Sequence, residues 1–546
     1  MPSNAEAAEV FRRIADLLDV LGERFKPEAY RRAARSLEGL PESLAHFAER
    51  NELRSIPGVG EAIEEKIREL LSTGKVHYLE RLEREVPPGL VEIMRLPGLG
   101  PKTARRFWVE LGIEGPAELR DAIAAGRLSG VKGFGDRKVE QIQEALGAAT
   151  APPSARRPIE EVYPVARAVV TALRAQSPAD RVEVAGSFRR ARETVGDLDV
   201  LVTSSDPEKV FDVFSGLPQV ASVRLRGGTK ETVLLHGGLQ VDLRVVEPDQ
   251  FGAALQYFTG SKDHNVHLRS LAREQGLKVN EYGVFRDDQR VAGATEEEVY
   301  AALGLAWIPP ELREDRGEID LARAKNLPKL IEAGDLRGDP HVHLEDPNDP
   351  RAAERVVVAA QARGLSYLGL VVASVDENGR SERVDRRIVE AARRAAGDSV
   401  RIVNVVERGP GPLPPGLRDV PADRTILRPV GTEKGIPKTT TEPEAWLVAH
   451  LGGPVEFVRP WATLAASLGA ALEVGPGAER IDSAAARSAL EAGARLSIST
   501  GIGGSDEGAT EAVALGFARR AGATREQVMN AASLRQPTAS RRTKAH

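Results

Sequence analysis

Gly186-Ser187-Phe188-Arg189-Arg190, followed by Gly196-Asp197-Leu198-Asp199-Val200-Leu201-Val202, decides how the middle of this chain folds. The run Val182–Ala185 is strand-like, and Gly186-Ser187 breaks it. Gly196–Val202 then reads as a second strand, and side chains at i and i+2 leave a strand on the same face, so Asp197 and Asp199 point together. Gln240-Val241-Asp242-Leu243-Arg244 reads as a third strand with one more acid. Carboxylates converging from paired strands suit hard divalent cations such as magnesium, which prefer oxygen ligands. Two such ions can activate an attacking hydroxyl and steady departing pyrophosphate, the chemistry of nucleotidyl transfer. An isolated Asp-x-Asp reads more simply as a solvated face or a turn; the flanking Gly-Ser and the third acid favour the metal-binding reading.

The 546 residues are enough for several domains, and an apolar fraction of 41% is enough for packed cores. No run approaches the ~18 consecutive apolar residues of a membrane span. The start, Met1-Pro2-Ser3-Asn4-Ala5-Glu6, lacks the basic-then-apolar form of a secretory signal. Cysteine is absent, so disulfides and thiolate metal sites are excluded, and a soluble cytoplasmic protein is expected. A net charge of −5 does not advertise nucleic-acid binding. Any DNA contact must therefore be local, made by arginine clusters and backbone amides, and steeply weakened by salt.

Residues 5–150 read as short helices with glycine turns, and 149–158 as a proline-bearing hinge. Residues 159–310 alternate strands and helices. Residues 316–337 are polar and charged and are expected to be a linker. Residues 338–535 read as a compact α/β unit rich in alanine, and 536–546 as a disordered basic tail. Within the first part, Ile56-Pro57-Gly58-Val59-Gly60, Leu96-Pro97-Gly98-Leu99-Gly100 and Val131-Lys132-Gly133-Phe134-Gly135 each precede a predicted helix, at 61–70, 101–111 and 136–146. The pattern resembles the helix-hairpin-helix. Glycines permit the tight turn, and the following helix offers free amides and its positive dipole end to a phosphate. One copy could be an ordinary interhelical turn; the repetition favours a sequence-independent grip on a DNA backbone.

The motifs Gly186-Ser187-Phe188-Arg189-Arg190, Gly196-Asp197-Leu198-Asp199, Val241-Asp242-Leu243-Arg244, Tyr257-Phe258-Thr259-Gly260-Ser261 and Asn280-Glu281-Tyr282-Gly283 occur in this order. In that set the chain resembles the family X DNA polymerases, the DNA polymerase beta-like enzymes. The resemblance implies a lyase-like helical domain at 1–85, a fingers-like helical domain at 86–150, an α+β palm at 151–250 and a thumb at 251–315. It implies two Mg2+ or Mn2+ ions on Asp197, Asp199 and Asp242, with Asp242 completing the ion at the primer 3′-hydroxyl. Gly186, Ser187, Arg190 and Gly196 would hold the nucleotide's triphosphate; a hydroxyl and a guanidinium beside a glycine turn are good phosphate partners. Tyr257, Phe258 and Gly260 would lie against the sugar, and Asn265 against the minor-groove edge of the new base. Arg269 would contact the template. Lys262 stands where the family often has an acid. Without the resemblance, Tyr257 and Phe258 could be core aromatics. His264 and His267 are expected near DNA or on the surface rather than on a metal, and Arg244 as an ion-pair partner of the acids.

DNA contacts implied in the same way are Gly58, Gly60, Gly98, Gly100, Lys102, Gly133, Gly135 and Lys138 in the hairpins. Lys26, Tyr30 and Lys75 would lie near a 5′-phosphate. Lys66 matches the family's Schiff-base lysine for an abasic sugar remnant; the alternative is a solvated helix lysine. Ala62 replaces a lysine of the vertebrate relatives, and Glu64 and Glu65 flank Lys66, which weakens phosphate grip.

Gly338-Asp339-Pro340-His341-Val342-His343 opens a stretch that resembles the polymerase-and-histidinol-phosphatase (PHP) domain, an α/β barrel-like fold. His341 and His343 would share a strand face. Later motifs depart: Val371-Val372-Ala373 stands for Thr-Asp-His, Arg459-Pro460 for His-Pro, and Gly501-Ile502-Gly503 for Asp-Ala-His. Imidazole is too scarce for the family's metal cluster, so a degenerate, noncatalytic domain without exonuclease activity is expected. The whole reads as a multidomain, monomeric, gap-filling repair polymerase of the bacterial cytoplasm and nucleoid, acting on gapped or primer-template DNA and deoxynucleoside triphosphates, with no membrane role. The alternatives are a nonenzymatic DNA-end-binding scaffold and another nucleotidyltransferase of the same superfold.

Overall fold

The computed structural model describes residues 4–23, 25–38, 40, 44–94, 99–128, 139, 142–143, 156–375, 381–408, 422–427, 445–449, 451, 455–477, 480–502, 504 and 507–532. The chain divides into two units, Met1–Ser154 and Ala155–His546. No helix of the described residues is long and apolar enough to cross a membrane.

The first unit is helical. Helix Asn4–Leu21 places Phe11, Ile14, Leu17 and Leu18 in one stripe. Leu37 of Lys26–Glu38, Ile67 of Glu61–Thr73, Leu82 of His77–Glu85 and Phe107 of Pro101–Leu111 join it in a single apolar core. The expected border between residues 85 and 86 is therefore not a break in packing. Arg105 donates to the Val20 carbonyl at 2.9 Å, and Arg13 meets Glu83 at 2.5 Å.

The second unit starts with a five-stranded sheet in the order Arg181–Val184, Asp197–Thr203, Gln240–Val245, Lys230–Leu235, Val220–Arg226. Its central pair is parallel and the outer pairings are antiparallel. Val200, Val202, Val241 and Leu243 are buried, together with Val162 and Val169 of helix Ile159–Gln176 and Phe211 and Phe214 of Pro207–Ser215. Asp206 caps the latter helix, accepting from the Lys209 amide, and Pro207 fits its first turn. A separate cluster follows: helices Phe251–Thr259, Lys262–Glu274 and Glu296–Ala302, and a small antiparallel sheet, pack around Leu268, Val284, Val299 and Tyr300.

Residues 316–337, expected to be a polar linker, are folded instead. Helix Glu318–Arg323 sends Ile319 and Ala322 into the preceding cluster, and Ile331 and Leu336 join the core of the central sheet. Charged and apolar side chains are equally numerous in this stretch, and the buried apolar ones are the anchors.

The C-terminal part is a parallel barrel-like sheet. Among the described residues its strands run Gly338–Val342, Tyr367–Val375, Arg401–Arg408, Arg424–Leu427, Ala445–Val448, Ala471–Val474 and Arg495–Ile498, with Ser381–Arg383 paired antiparallel to the last residues of Tyr367–Val375. Helices such as Pro350–Ala362 and Arg386–Ala396 separate successive strands. Side chains join the first and last strands. Asn530 donates to the carbonyls of Gly338 (3.0 Å) and Ile498 (2.8 Å), and the Thr500 hydroxyl donates to Asp339 at 2.5 Å. Helices Val455–Leu468, Ser483–Glu491 and Glu507–Arg520 share one continuous apolar core with the central sheet and its helices.

Candidate active site

The register of the parallel pair puts Asp199 opposite Asp242 and Asp197 opposite Gln240, so the acids lie on one face of adjoining strands. Asp242 accepts from Thr232 Oγ1 at 2.8 Å and Gln240 Nε2 at 3.1 Å, and Lys230 Nζ lies 2.8 Å from its other oxygen. Burial, then the charges of Asp197 and Asp242, push Asp199 up to about 7. Asp197 is raised in the same direction, by desolvation and then by Asp242. Three crowded, mutually repelling carboxylates form an oxygen-only donor set, and a hard cation would relieve their repulsion, so the residues fit divalent magnesium or manganese.

Gly186 sits at φ +65°, and a Cβ there would meet Asp199 Oδ2 at 2.5 Å. Only glycine lets the chain turn over the acid. The turn leads into Gly186–Arg189 and brings Ser187 and Arg190 into the same cleft of about 370 Å³ as Asp197 and Asp199. Tyr257, Phe258, Gly260, Asn265, Arg269 and Lys262 line its other side. Gly196 lies immediately before Asp197, beside the Arg156 side chain. Tyr257 and Phe258 meet edge to face at 5.2 Å, and the Arg244 guanidinium lies 4.5 Å from the Phe258 ring centre. Asn265 accepts from Gln256 Nε2 (2.8 Å) and donates to the Tyr257 carbonyl (2.7 Å). Arg269 Nε donates to the Asn265 carbonyl at 3.2 Å.

Buried ion pairs hold this cleft together, and sequence reasoning missed them. Glu296 accepts two bonds from Arg189, at 2.7 and 2.9 Å, and two from Arg313, at 2.6 and 3.0 Å. Arg190 Nε meets Glu314 at 2.9 Å, and Arg190 Nη1 donates to the Thr259 carbonyl. The expectation for His264 fails: it is buried, with one ring nitrogen 2.6 Å from Glu318 and the other 2.9 Å from the Tyr300 hydroxyl. Burial holds its imidazole below the ordinary value despite Glu318. Only His267 is partly exposed, paired with Asp315 at 2.7 Å.

In the helical unit, Gly58 has φ +83°, and Gly60 precedes the first turn of Glu61–Thr73. That turn carries Glu61 and Glu64, which Arg54 engages at 3.3 and 2.5 Å. Gly100 plays the same part for Pro101–Leu111, whose first turn has no acid and an exposed Lys102, so this second hairpin suits a phosphate better. Gly98, Gly133, Gly135 and Lys138 lie outside the described residues, as does the tail 536–546. Lys66 Nζ donates to the Ala62 carbonyl at 2.9 Å and stands 4.8 Å from the Tyr78 ring centre. Tyr30 is buried, stacked between Phe11 and Tyr78. Lys26 pairs with Glu23 at 3.3 Å and Lys75 with Glu80 at 3.6 Å.

In the barrel, His341, His343 and Glu407 offer ligand atoms within 4.8 Å of one another. His341 Nδ1 lies 3.0 Å from Glu473, whose second oxygen is 3.4 Å from Arg480 Nε. Burial would lower the His341 imidazole, but Glu473 and Glu407 outweigh it and push it up to about 10. Glu473 is thus paired with His341 on one side and with Arg480 on the other. Glu407 and Glu473 were absent from the sequence reading. The signal for Glu473 was an acid inside an otherwise apolar strand, Ala471–Val474, whereas Glu407 lies in the mixed strand Arg401–Arg408 beside Arg408 and carries no such mark.

Family models match in sequence order. A helix-hairpin-helix domain covers 2–76, a SAM-like helix-hairpin-helix tandem 90–148, the DNA polymerase beta palm 156–239 and the DNA polymerase beta thumb 254–314. Together these matches run from residue 2 to residue 314 in the order helix-hairpin-helix, palm, thumb. It is 36% identical over 315 residues to the DNA polymerase/3′-5′ exonuclease PolX of Bacillus subtilis (strain 168), a match covering 57% of this chain and 55% of the relative. DNA polymerase lambda of Rattus norvegicus is 29% identical over 288 residues, 47% of each chain. DNA polymerase lambda of Arabidopsis thaliana is 25% identical over 291 residues, 46% of this chain and 52% of the relative. The chain spans about half the length of the curated relatives it matches.

Proposed function

We propose that this chain is a template-directed DNA polymerase that fills short gaps, with gapped or primer-template DNA and deoxynucleoside triphosphates as substrates. The reading rests on one observation: Asp197, Asp199 and Asp242 share a face of adjoining strands beside the Gly186 turn, and Asp197 and Asp199 line the cleft with Ser187, Arg190, Tyr257 and Asn265. Asp197, Asp199 and Asp242 would hold two Mg2+ or Mn2+ ions, which when bound supply positive charge to the attacking hydroxyl and the leaving pyrophosphate. The primer 3′-oxygen attacks the α-phosphorus, the bond to pyrophosphate breaks, and Asp242 takes the hydroxyl proton. Thr232, Gln240 and Lys230 keep the Asp242 carboxylate oriented for that transfer. Ser187 and Arg190 bind the triphosphate, while Tyr257 and Phe258 pack against the sugar and crowd a ribose 2′-hydroxyl. Asn265, fixed by Gln256 and the Tyr257 carbonyl, meets the base edge, and Arg269 the template. The hairpin around Gly100 and Lys102 grips the DNA backbone.

Asp242→Ala should abolish primer extension on gapped DNA in magnesium or manganese while DNA binding stays near wild type. Normal extension by that variant would refute the mechanism. The same assay run with ribonucleotides separates a polymerase from a related nucleotidyltransferase, and absence of any transfer by the wild type would leave an end-binding scaffold. Two subsidiary readings accompany the main one. Lys66 is the nucleophile of a 5′-deoxyribose-phosphate lyase, and the C-terminal barrel is a PHP domain without exonuclease activity, its Thr-Asp-His, His-Pro and Asp-Ala-His motifs replaced at residues 371–373, 459–460 and 501–503.

A further inference from the structure

Helix Glu507–Arg520 of the barrel ends against the turn that carries the proposed triphosphate-binding arginine. The Arg520 side chain, 3% exposed, places Nη1 2.7 Å from Glu314 Oε1 and 3.2 Å from the Arg190 carbonyl oxygen. The same Glu314 oxygen accepts from Arg190 Nε at 2.9 Å, and its other oxygen lies 3.6 Å from Arg192. Arg520 Nε is 3.7 Å from Glu193, which also accepts from the Ser483 hydroxyl of the barrel. One helix turn earlier, Gly516 allows close approach: a Cβ there would meet the Ala191 Cβ at 2.7 Å. The segment 190–193, between the glycine turn and Asp197, is thus held by the barrel at each of its four residues or their ion-pair partners. Burial would raise the Glu314 carboxyl, but Arg520, Arg190 and Arg192 outweigh it and hold it at about 2, so it stays an anion shared among three guanidinium groups.

We propose that Arg520 is a positioning residue for the nucleotide site: by sharing Glu314 and bonding the Arg190 carbonyl, it keeps the Arg190 guanidinium available to the triphosphate. The barrel is on this account a structural part of the polymerase cleft. Without Arg520 the whole charge of Glu314 falls on Arg190 and Arg192 and draws Arg190 from its ligand. The inference rests on the polymerase reading for the identity of that ligand.

The test uses the full chain on gapped DNA with a dideoxy-terminated primer, titrated with the complementary deoxynucleoside triphosphate and magnesium. Arg520→Gln should weaken nucleotide binding about tenfold, the loss expected for one charge-assisted hydrogen bond. In primer extension the KM for nucleotide should rise in parallel while kcat and DNA affinity hold. Arg520→Lys should recover much of the loss, and adding Glu314→Gln to Arg520→Gln should restore binding, because no excess anion then competes for Arg190. Wild-type nucleotide affinity in Arg520→Gln would overturn the proposal, even if that variant melts earlier. A loss that Glu314→Gln leaves unchanged would overturn it as well. Nucleotide binding that obeys these predictions, with no incorporation by the wild type, would refute the polymerase reading and leave the positioning role standing.

Discussion

Glu296→Ala removes the acid that Arg189 of the palm and Arg313 of the thumb share. Arg313 is 0% exposed, and its Nε is taken by the Ile308 carbonyl at 2.8 Å, so it cannot swing to water when its partner goes. Glu296 also accepts from Trp307 Nε1 at 3.1 Å. Breaking a buried pair from one side costs about 3–5 kcal/mol, because the remaining charge is left in a poor solvent. At about 2–4 °C per kcal/mol for a domain of this size, the melting transition should fall by roughly 6–20 °C. Differential scanning calorimetry of the full chain measures this directly. Glu296→Gln keeps the shape and part of the hydrogen bonding and should lose less. The pair also predicts a pH dependence. Burial would raise Glu296, but Arg313 and Arg189 outweigh it and hold it at about 2. The folded pKa lies below the unfolded one, so the native state binds fewer protons; the contribution is complete above the ordinary glutamate range and is lost as pH falls through about 2. Wild type and Glu296→Gln should therefore converge in stability in acid. A Glu296→Ala protein that melts within about 2 °C of wild type at neutral pH would refute the argument.

Gly186→Ala should abolish extension and destabilise the palm, since its methyl group would strike Asp199 at a backbone angle unsuited to alanine; a folded, active variant would show that the turn can move. Borohydride should trap the wild type, but not Lys66→Ala, on a 5′-deoxyribose-phosphate end, and no adduct with wild type under conditions that support extension would retire the lyase reading. The wild type should leave 3′ ends intact in manganese; metal-dependent degradation that disappears in His341→Ala would show a working exonuclease instead.

The palm was legible because its chemistry is local. Asp197 and Asp199 alternate with buried residues in one strand, and a period of two is enough to place both on one face. The supporting pairs were not legible, because Arg189–Glu296 and Arg520–Glu314 join residues far apart in sequence, and each partner alone looks like an ordinary surface charge. Helix Lys262–Glu274 misled in the same way: its two histidines, three apart, were expected near DNA or on the surface, yet His264 turns inward because Glu318 and Tyr300 satisfy its two nitrogens. Residues 316–337 were read from their charge, whereas four apolar side chains decide their place. In the barrel, the missing imidazoles were visible in the sequence, but the meeting of Glu407 and Glu473 with His341 was not, since the three stand on strands that are not neighbours and only the barrel-like curl of the sheet brings them together.

The uninterrupted apolar seam between palm and barrel has a consequence for how such a chain can change over generations. A stop codon after residue 337 would strip cover from Ile331 and Leu336 and from the flank of helix Ile159–Gln176, leaving a sticky, poorly folding remnant. Point substitutions at His341 or His343, which lie outside that seam, leave it covered. Loss of chemistry and loss of the fold are thereby uncoupled, and a barrel with no reaction of its own would still be inherited whole.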